Sequence, residues 1–205
     1  MKNNLFAWLW HWDYAWPVYS AYNNLFYGGS TVFERYPGAG TWTVRDNVFD
    51  GAALTLTNQA VVNDHNAYVG SGQAQLPGSG GGDVVLSSFA YTNLAAWPSW
   101  RFYQVTTNLV DAGSRNATNA GLYHFTTQVS QAKETNSPVD IGFHYVAADT
   151  ATGLALDADG DGSADCIEDG DGDGTVDVGE TDWRSGGEPG LRVWIVRPRS
   201  NNPLP

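Results

Sequence analysis

The sequence predicts an all-β chain: an imperfect parallel β-helix or related β-solenoid, then an acid-rich connector, then a terminal strand. Three observations predict it. A short phrase recurs through the first third at nearly constant spacing, and short alternating apolar runs bounded by turn residues fill the intervals. No stretch carries the apolar period of a helix of ten or more residues. Finally, residues 157–180 gather ten of the chain's 22 carboxylates with no Lys or Arg among them.

The phrase reads Asn3-Asn4-Leu5-Phe6, Asn23-Asn24-Leu25-Phe26, Asp46-Asn47-Val48-Phe49 and His65-Asn66-Ala67-Tyr68, with its central asparagines 20, 23 and 19 residues apart. A period near twenty, made of β-rich runs and polar turns, marks a stacked solenoid. Each coil is expected to place an inward apolar pair, such as Leu5 and Phe6 or Leu25 and Phe26, above its counterpart. The central asparagines are expected to hydrogen-bond along the stack as a ladder. Between phrases, TWTVRDNVF alternates from Thr41 and ALTLTNQAVV alternates from Ala53, with Pro37-Gly38-Ala39-Gly40 as a turn. After GSGGG at residues 78–82 the run DVVLSSFAY reads as one more strand, and Trp97-Pro98-Ser99-Trp100 opens an aromatic loop.

The acid block divides into two abutting twelve-residue loops. From Asp157, oxygen-bearing side chains fall at positions 1, 3, 5, 7, 9 and 12: Asp157, Asp159, Asp161, Ser163, Asp165 and Glu168, with Gly162 at the sixth. From Asp169 the same offsets hold Asp169, Asp171, Asp173, Thr175, Asp177 and Glu180, with Gly174 at the sixth. Like charge this dense stays open unless a cation sits within it, and six to eight hard oxygens at flexible geometry are what calcium takes. About two calcium ions per chain are therefore expected, one to each loop. Because Asp169 directly follows Glu168, no helices can swing apart around the loops, which argues for a structural site rather than a sensor. Affinities of the extracellular kind, on the order of 10⁻⁴–10⁻³ M, would follow.

Charge and composition narrow the rest. The formal charge of −12 is concentrated, since residues 157–182 hold eleven carboxylates and the remainder has eleven acids against ten bases. No basic stripe offers itself to nucleic acid, no run is long enough to span a membrane, and the opening seventeen residues do not read as a signal peptide. Cys166, the single cysteine, cannot close an internal disulfide. Asp46, Asp50 and Asp64, with Arg45 and His65 nearby, form the nearest approach to a carboxylate site, yet Asp46 and His65 occupy the repeat position of Asn3 and Asn23 and read as turn residues. His124 and His144 lie among aromatics and read as satisfied core histidines. No catalytic residue is assigned, and the chain is not expected to be an enzyme.

Abutting DxDxDG loops resemble the calcium-wrapped repeats of thrombospondin type 3 and of large secreted bacterial surface proteins. Leu109-Val110-Asp111-Ala112-Gly113-Ser114 and Val139-Asp140-Ile141-Gly142-Phe143-His144-Tyr145 resemble phrases near the end of right-handed parallel β-helices in such proteins, where a "DAG" coil precedes a closing "DIG" coil. The resemblance implies a secreted or cell-surface location and a structural role. The division expected is a solenoid over 1–150, tandem calcium loops over 151–184 and an assembly strand over 185–205. Trp8, Trp10 and Trp12 should share one strand face, with Trp16 close by, on a coil where a solenoid normally needs a polar cap. Leu191, Val193 and Ile195 alternate in the last strand, suited to pairing with another edge. The partners expected are copies of the chain, head to tail in an extracellular fibre; the alternative is a carbohydrate-binding or adhesin segment using aromatic loops such as Trp97 to Tyr103 on glycans.

Overall fold

The structure is a computed structural model that describes residues 1–14, 18–34, 40–57, 61–77, 81–92 and 101–186. It begins as the predicted parallel β-solenoid. Coil 1 is built from β1 (Leu5–Ala7), β2 (Trp10–Tyr14) and β3 (Tyr19–Tyr22). Coil 2 repeats these as β4 (Leu25–Tyr27), β5 (Ser30–Glu34) and β6 (Trp42–Arg45), and coil 3 as β7 (Val48–Asp50), β8 (Ala53–Thr57) and β9 (Val61–Asp64). β10 (Ala67–Val69) and β11 (Val84–Leu86) extend the first sheet, whose order is β1-β4-β7-β10-β11; the others run β2-β5-β8 and β3-β6-β9. Every pairing in these three sheets is parallel.

The recurring phrase forms the corner between the third strand of one coil and the first strand of the next. Its first residue takes a left-handed conformation in all four copies, with φ of 53° at Asn3, 54° at Asn23, 60° at Asp46 and 51° at His65. Asn and Asp tolerate that region better than most side chains, which explains the polar choice at each corner. The second residue makes the ladder. Asn4 N–H donates to Asn24 Oδ1 at 2.9 Å, Asn24 N–H to Asn47 Oδ1 at 3.0 Å and Asn47 N–H to Asn66 Oδ1 at 3.1 Å. Asp83 ends it by accepting from Asn66 N–H at 2.8 Å.

The apolar pair after the asparagine does not point inward as a unit. Successive strand residues face opposite sides, so Phe6, Phe26, Phe49 and Tyr68 stack inside the coils, with centroids 5.0, 5.0 and 5.6 Å apart. Leu25, Val48 and Ala67 face outward and are buried all the same, because Phe102, Leu109 and Ile141 cover them. The covering flank is built from residues 101–147, whose regular elements are one turn of helix, α1 (Ala117–Ala120), and an antiparallel pair, β12 (Phe125–Thr126) with β13 (Tyr145–Val146). The two phrases resembling closing coils pair with each other here rather than stacking: Ile141 N–H donates to Leu109 O at 2.9 Å and Gly113 N–H to Val139 O at 2.8 Å.

The flank grips the corners directly. Asn3 exchanges bonds with the His144 backbone at 2.7 and 3.0 Å, and Asn23 Nδ2 donates to Asp140 O at 3.1 Å. Asp46 accepts from Ser114 N–H at 2.6 Å, while its carbonyl accepts from Gly142 N–H at 2.9 Å. Those bonds identify Asp46 as a turn residue; Asp64 pairs with Arg45 at 2.8 Å. His144 lies buried against Glu134, Nε2 to Oε1 2.8 Å. On β2, Trp10, Trp12 and Tyr14 point to solvent, whereas Trp8 lies before the strand at a left-handed φ of 57° and is not part of its alternation. Trp16, Trp97 to Trp100 and the expected terminal strand, with Leu191, Val193 and Ile195, lie outside the described residues.

Candidate metal centre

The acid block folds as two tight loops separated by one helical turn, α2 (Asp165–Glu168). Alternating Asp and Gly force the turns: Asp157 receives the N–H groups of Gly160 (2.8 Å) and Gly162 (3.0 Å), and Asp169 receives those of Gly172 (2.9 Å) and Gly174 (2.7 Å) at the same offsets. The result brings carboxylates together against their own repulsion. Asp157, Asp159 and Asp161 present oxygens within 4.8 Å of one another, as do Asp169, Asp171 and Glu180, and Asp171, Asp173 and Asp177.

In the first loop, Glu168 is only 3% exposed, and its Oε2 has no hydrogen-bond partner; Asp159 Oδ2 is buried and equally unpartnered. Burial, followed by the nearby carboxylates Asp159, Asp161 and Asp165, pushes the Glu168 carboxyl up, with Thr181 opposing. No ion pair among the described residues reaches Asp157, Asp159, Asp161 or Glu168. Asp159 belongs to the converging cluster, and Glu168, which is not one of its members, feels the charge of Asp159 and Asp161; two buried acceptors with no side-chain cation beside them are what a bound cation would satisfy. The residues therefore fit a metal ion bound through oxygen.

The remaining expected ligands divide. Asp165, at the ninth position, has its carboxylate turned elsewhere: Oδ1 accepts from Ala158 N–H at 2.7 Å and Oδ2 lies 3.3 Å from Lys133 Nζ. Its place on the first turn of α2 aims it at the flank. Ser163 donates its N–H to Asp161 at 2.8 Å, and Thr175 gives Asp173 both its N–H (2.7 Å) and its hydroxyl (2.6 Å). Those bonds hold the Asp173 carboxyl below its ordinary range.

The second loop leans on a residue the motif does not contain. His124 is 2% exposed and its Nε2 lies 2.9 Å from Asp169 Oδ2. Its Nδ1 faces Lys133 Nζ at 3.5 Å, so the ring accepts there and donates from Nε2. Burial, reinforced by Lys133, holds the imidazole below its usual pKa and favours that neutral form. Trp183 closes the site edge-on against His124 at 4.9 Å, with Lys133 4.7 Å above the indole. Only the aromatic neighbours of His124 were legible in sequence; its carboxylate partner lies 45 residues away.

No family model, curated protein or solved structure matches this chain.

Proposed function

We propose that the chain is a calcium-stabilised structural subunit of an extracellular assembly, with the tandem loops each holding one calcium. The observation that carries the reading is the pair of unpartnered buried oxygens on Glu168 and Asp159 beside the Asp157–Asp159–Asp161 cluster. Calcium suits such a set better than magnesium, which needs near-octahedral geometry and keeps its waters. Asp157, Asp159, Asp161 and Glu168 would hold the first ion; Asp169, Asp171, Asp173, Asp177 and Glu180 would hold the second. A structural rather than catalytic role is supported by where Asp46, Asp64 and His144 spend their side chains, in corners and buried pairs.

Self-association is supported by coil 1. No described strand pairs with the outer edges of β1 and β2, whereas Met1 and Asn3 already bond along that of β3, and the ridge Trp10, Trp12 and Tyr14 stands 70%, 50% and 51% exposed on β2. Unpaired edges take on further strands, and exposed indoles anchor contacts. A second reading, attachment to glycans, draws on the same ridge, whose rings lie 5.6 and 5.8 Å apart along one strand. Calorimetric titration with calcium and with magnesium, followed by electron microscopy of the chain and of a Trp10→Ser/Trp12→Ser variant, tests the proposal. Heat from calcium at millimolar concentration and filaments lost in the variant are the expected results. No calcium heat ends the metal reading, and a monodisperse wild-type chain retained on a polysaccharide column favours the second reading.

A further inference from the structure

The two loops share a motif but not a setting. Around the first, a Cβ added at Gly160 or Gly162 would meet nothing within 4 Å. Around the second, a Cβ at Gly172 would lie 2.7 Å from the Gly121 carbonyl, and one at Gly174 would lie 2.4 Å from the Tyr123 ring. Tyr123 N–H donates to Gly172 O at 3.0 Å, so the flank backbone is bonded into the loop itself. The neighbouring residue, His124, bonds Asp169, which is the first expected ligand of that loop, and the next strand residue, Phe125, opens β12. From there the connection runs on: Ala147 N–H donates to His124 O at 3.0 Å, just past β13, and Asn3 of coil 1 holds His144.

We infer that His124 is a positioning residue that builds the second loop into the solenoid flank, so that this loop's ion and the flank order together while the first loop binds its ion independently. The inference rests on the metal reading above and deepens it. A ligating carboxylate orients best when an outer hydrogen bond fixes its free lone pairs, and losing such a partner typically weakens a metal site by about 10–100-fold. With Nε2–H donating, His124 joins Gly174 N–H on Asp169 Oδ2 and is the side chain from the flank that helps fix the rotation of this carboxylate, whose Oδ1 receives Gly172 and Asp173. Removing the ion would return the repulsion of Asp169, Asp171 and Glu180 to a loop whose backbone is shared with the flank, and the flank would feel it. The first loop carries no such link at its glycines; its tie to the flank runs through Asp165, whose carboxylate lies 3.3 Å from Lys133 Nζ and 3.7 Å from His124 Nδ1 and is turned away from the converging Asp157, Asp159 and Asp161.

The test is a calorimetric calcium titration of the full chain with His124→Phe, which keeps the aromatic contacts, and His124→Gln, which restores a donor near Nε2. Amide exchange of residues 121–126 and 139–147 is followed with and without calcium. Expected are two binding classes in the wild type, one of them weakened at least tenfold in His124→Phe and largely recovered in His124→Gln, with calcium slowing exchange in both segments. Asp173→Ala should abolish that slowing, and Asp161→Ala should remove one binding class while leaving it intact. Equal affinities in wild type and His124→Phe, or a Gln variant as weak as Phe, would overturn the positioning role. Flank exchange indifferent to calcium in a protein that binds two ions would overturn the coupling while leaving the metal reading standing. A wild type that binds no calcium would end both.

Discussion

Replacing Asn47 with alanine should be among the most damaging single changes to the solenoid. The side chain is fully buried, and its Oδ1 accepts from Asn24 N–H at 3.0 Å and Asn24 Nδ2 at 2.8 Å. Its Nδ2 donates to Ala21 O at 3.0 Å, Arg45 O at 2.8 Å and Asn66 Oδ1 at 3.0 Å. Alanine leaves two donors of Asn24 without the acceptor they use, in a place water does not reach. At roughly 1–3 kcal/mol for each buried group left unsatisfied, the loss is about 2–6 kcal/mol, a large share of the stability of a domain this size. Asn4→Ala is the control. Its Nδ2 bonds are half exposed, and Asn24 Oδ1 keeps the Asn4 backbone N–H at 2.9 Å, so less than about 1 kcal/mol should be lost. Urea unfolding followed by far-ultraviolet circular dichroism measures both. An Asn47→Ala midpoint matching that of Asn4→Ala would show that the ladder decorates the stack rather than holding it.

Two further outcomes follow from local geometry. Gly174→Ala and Gly162→Ala both place a Cβ at positive φ, +82° and +96°, but only the first meets an aromatic ring; both should cost about 1–3 kcal/mol in backbone strain, with a further ~1–3 kcal/mol for Gly174 in urea unfolding. Burial and the adjacent Glu134 push the Asp140 carboxyl up to about 6, above the roughly 3.9 of a free side chain, so the folded state holds the extra proton and stability falls as pH rises from about 4 to about 6. Asp140→Asn keeps an acceptor for Asp111 N–H and should flatten that part of the stability profile measured by unfolding at a series of pH values.

The solenoid was readable because stacking imposes a period on the chain: the corner needs a left-handed residue and the ladder an amide, so the paired polar residues return at every coil. The flank was not readable in the same way. Residues 101–147 have no repeat; they fold by matching surfaces that the coils create, as when Ile141 and Leu109 settle over Leu25 and Val48. For that reason the expectation of an inward pair put Leu25 and Phe26 together because both are apolar, whereas strand alternation sends them to opposite faces and the flank makes both faces equally dry. At the metal centre the offsets located the carboxylates and the glycines. They could not show that Asp165 turns to Lys133, or that His124 stands behind Asp169, because both depend on contacts between segments far apart in sequence.

Parallel coils in register have no inherent way of knowing how many they are, and a stack could slip or gain a repeat without breaking its own rules. Here the flank supplies three differently shaped berths. The first accepts an amide able to bond a backbone in both directions, as Asn3 does with His144. The second offers a carbonyl and the Arg115 guanidinium to Asn23, and the third offers Ser114 N–H and hydroxyl to a carboxylate, Asp46. Shift the stack by one coil and Asp46 would keep a guanidinium but set its second oxygen against the Asp140 carbonyl, acceptor against acceptor, and lose both Ser114 donors. The flank thus counts coils, and the choice of Asn, Asn and Asp at otherwise equivalent corners is the record of that count.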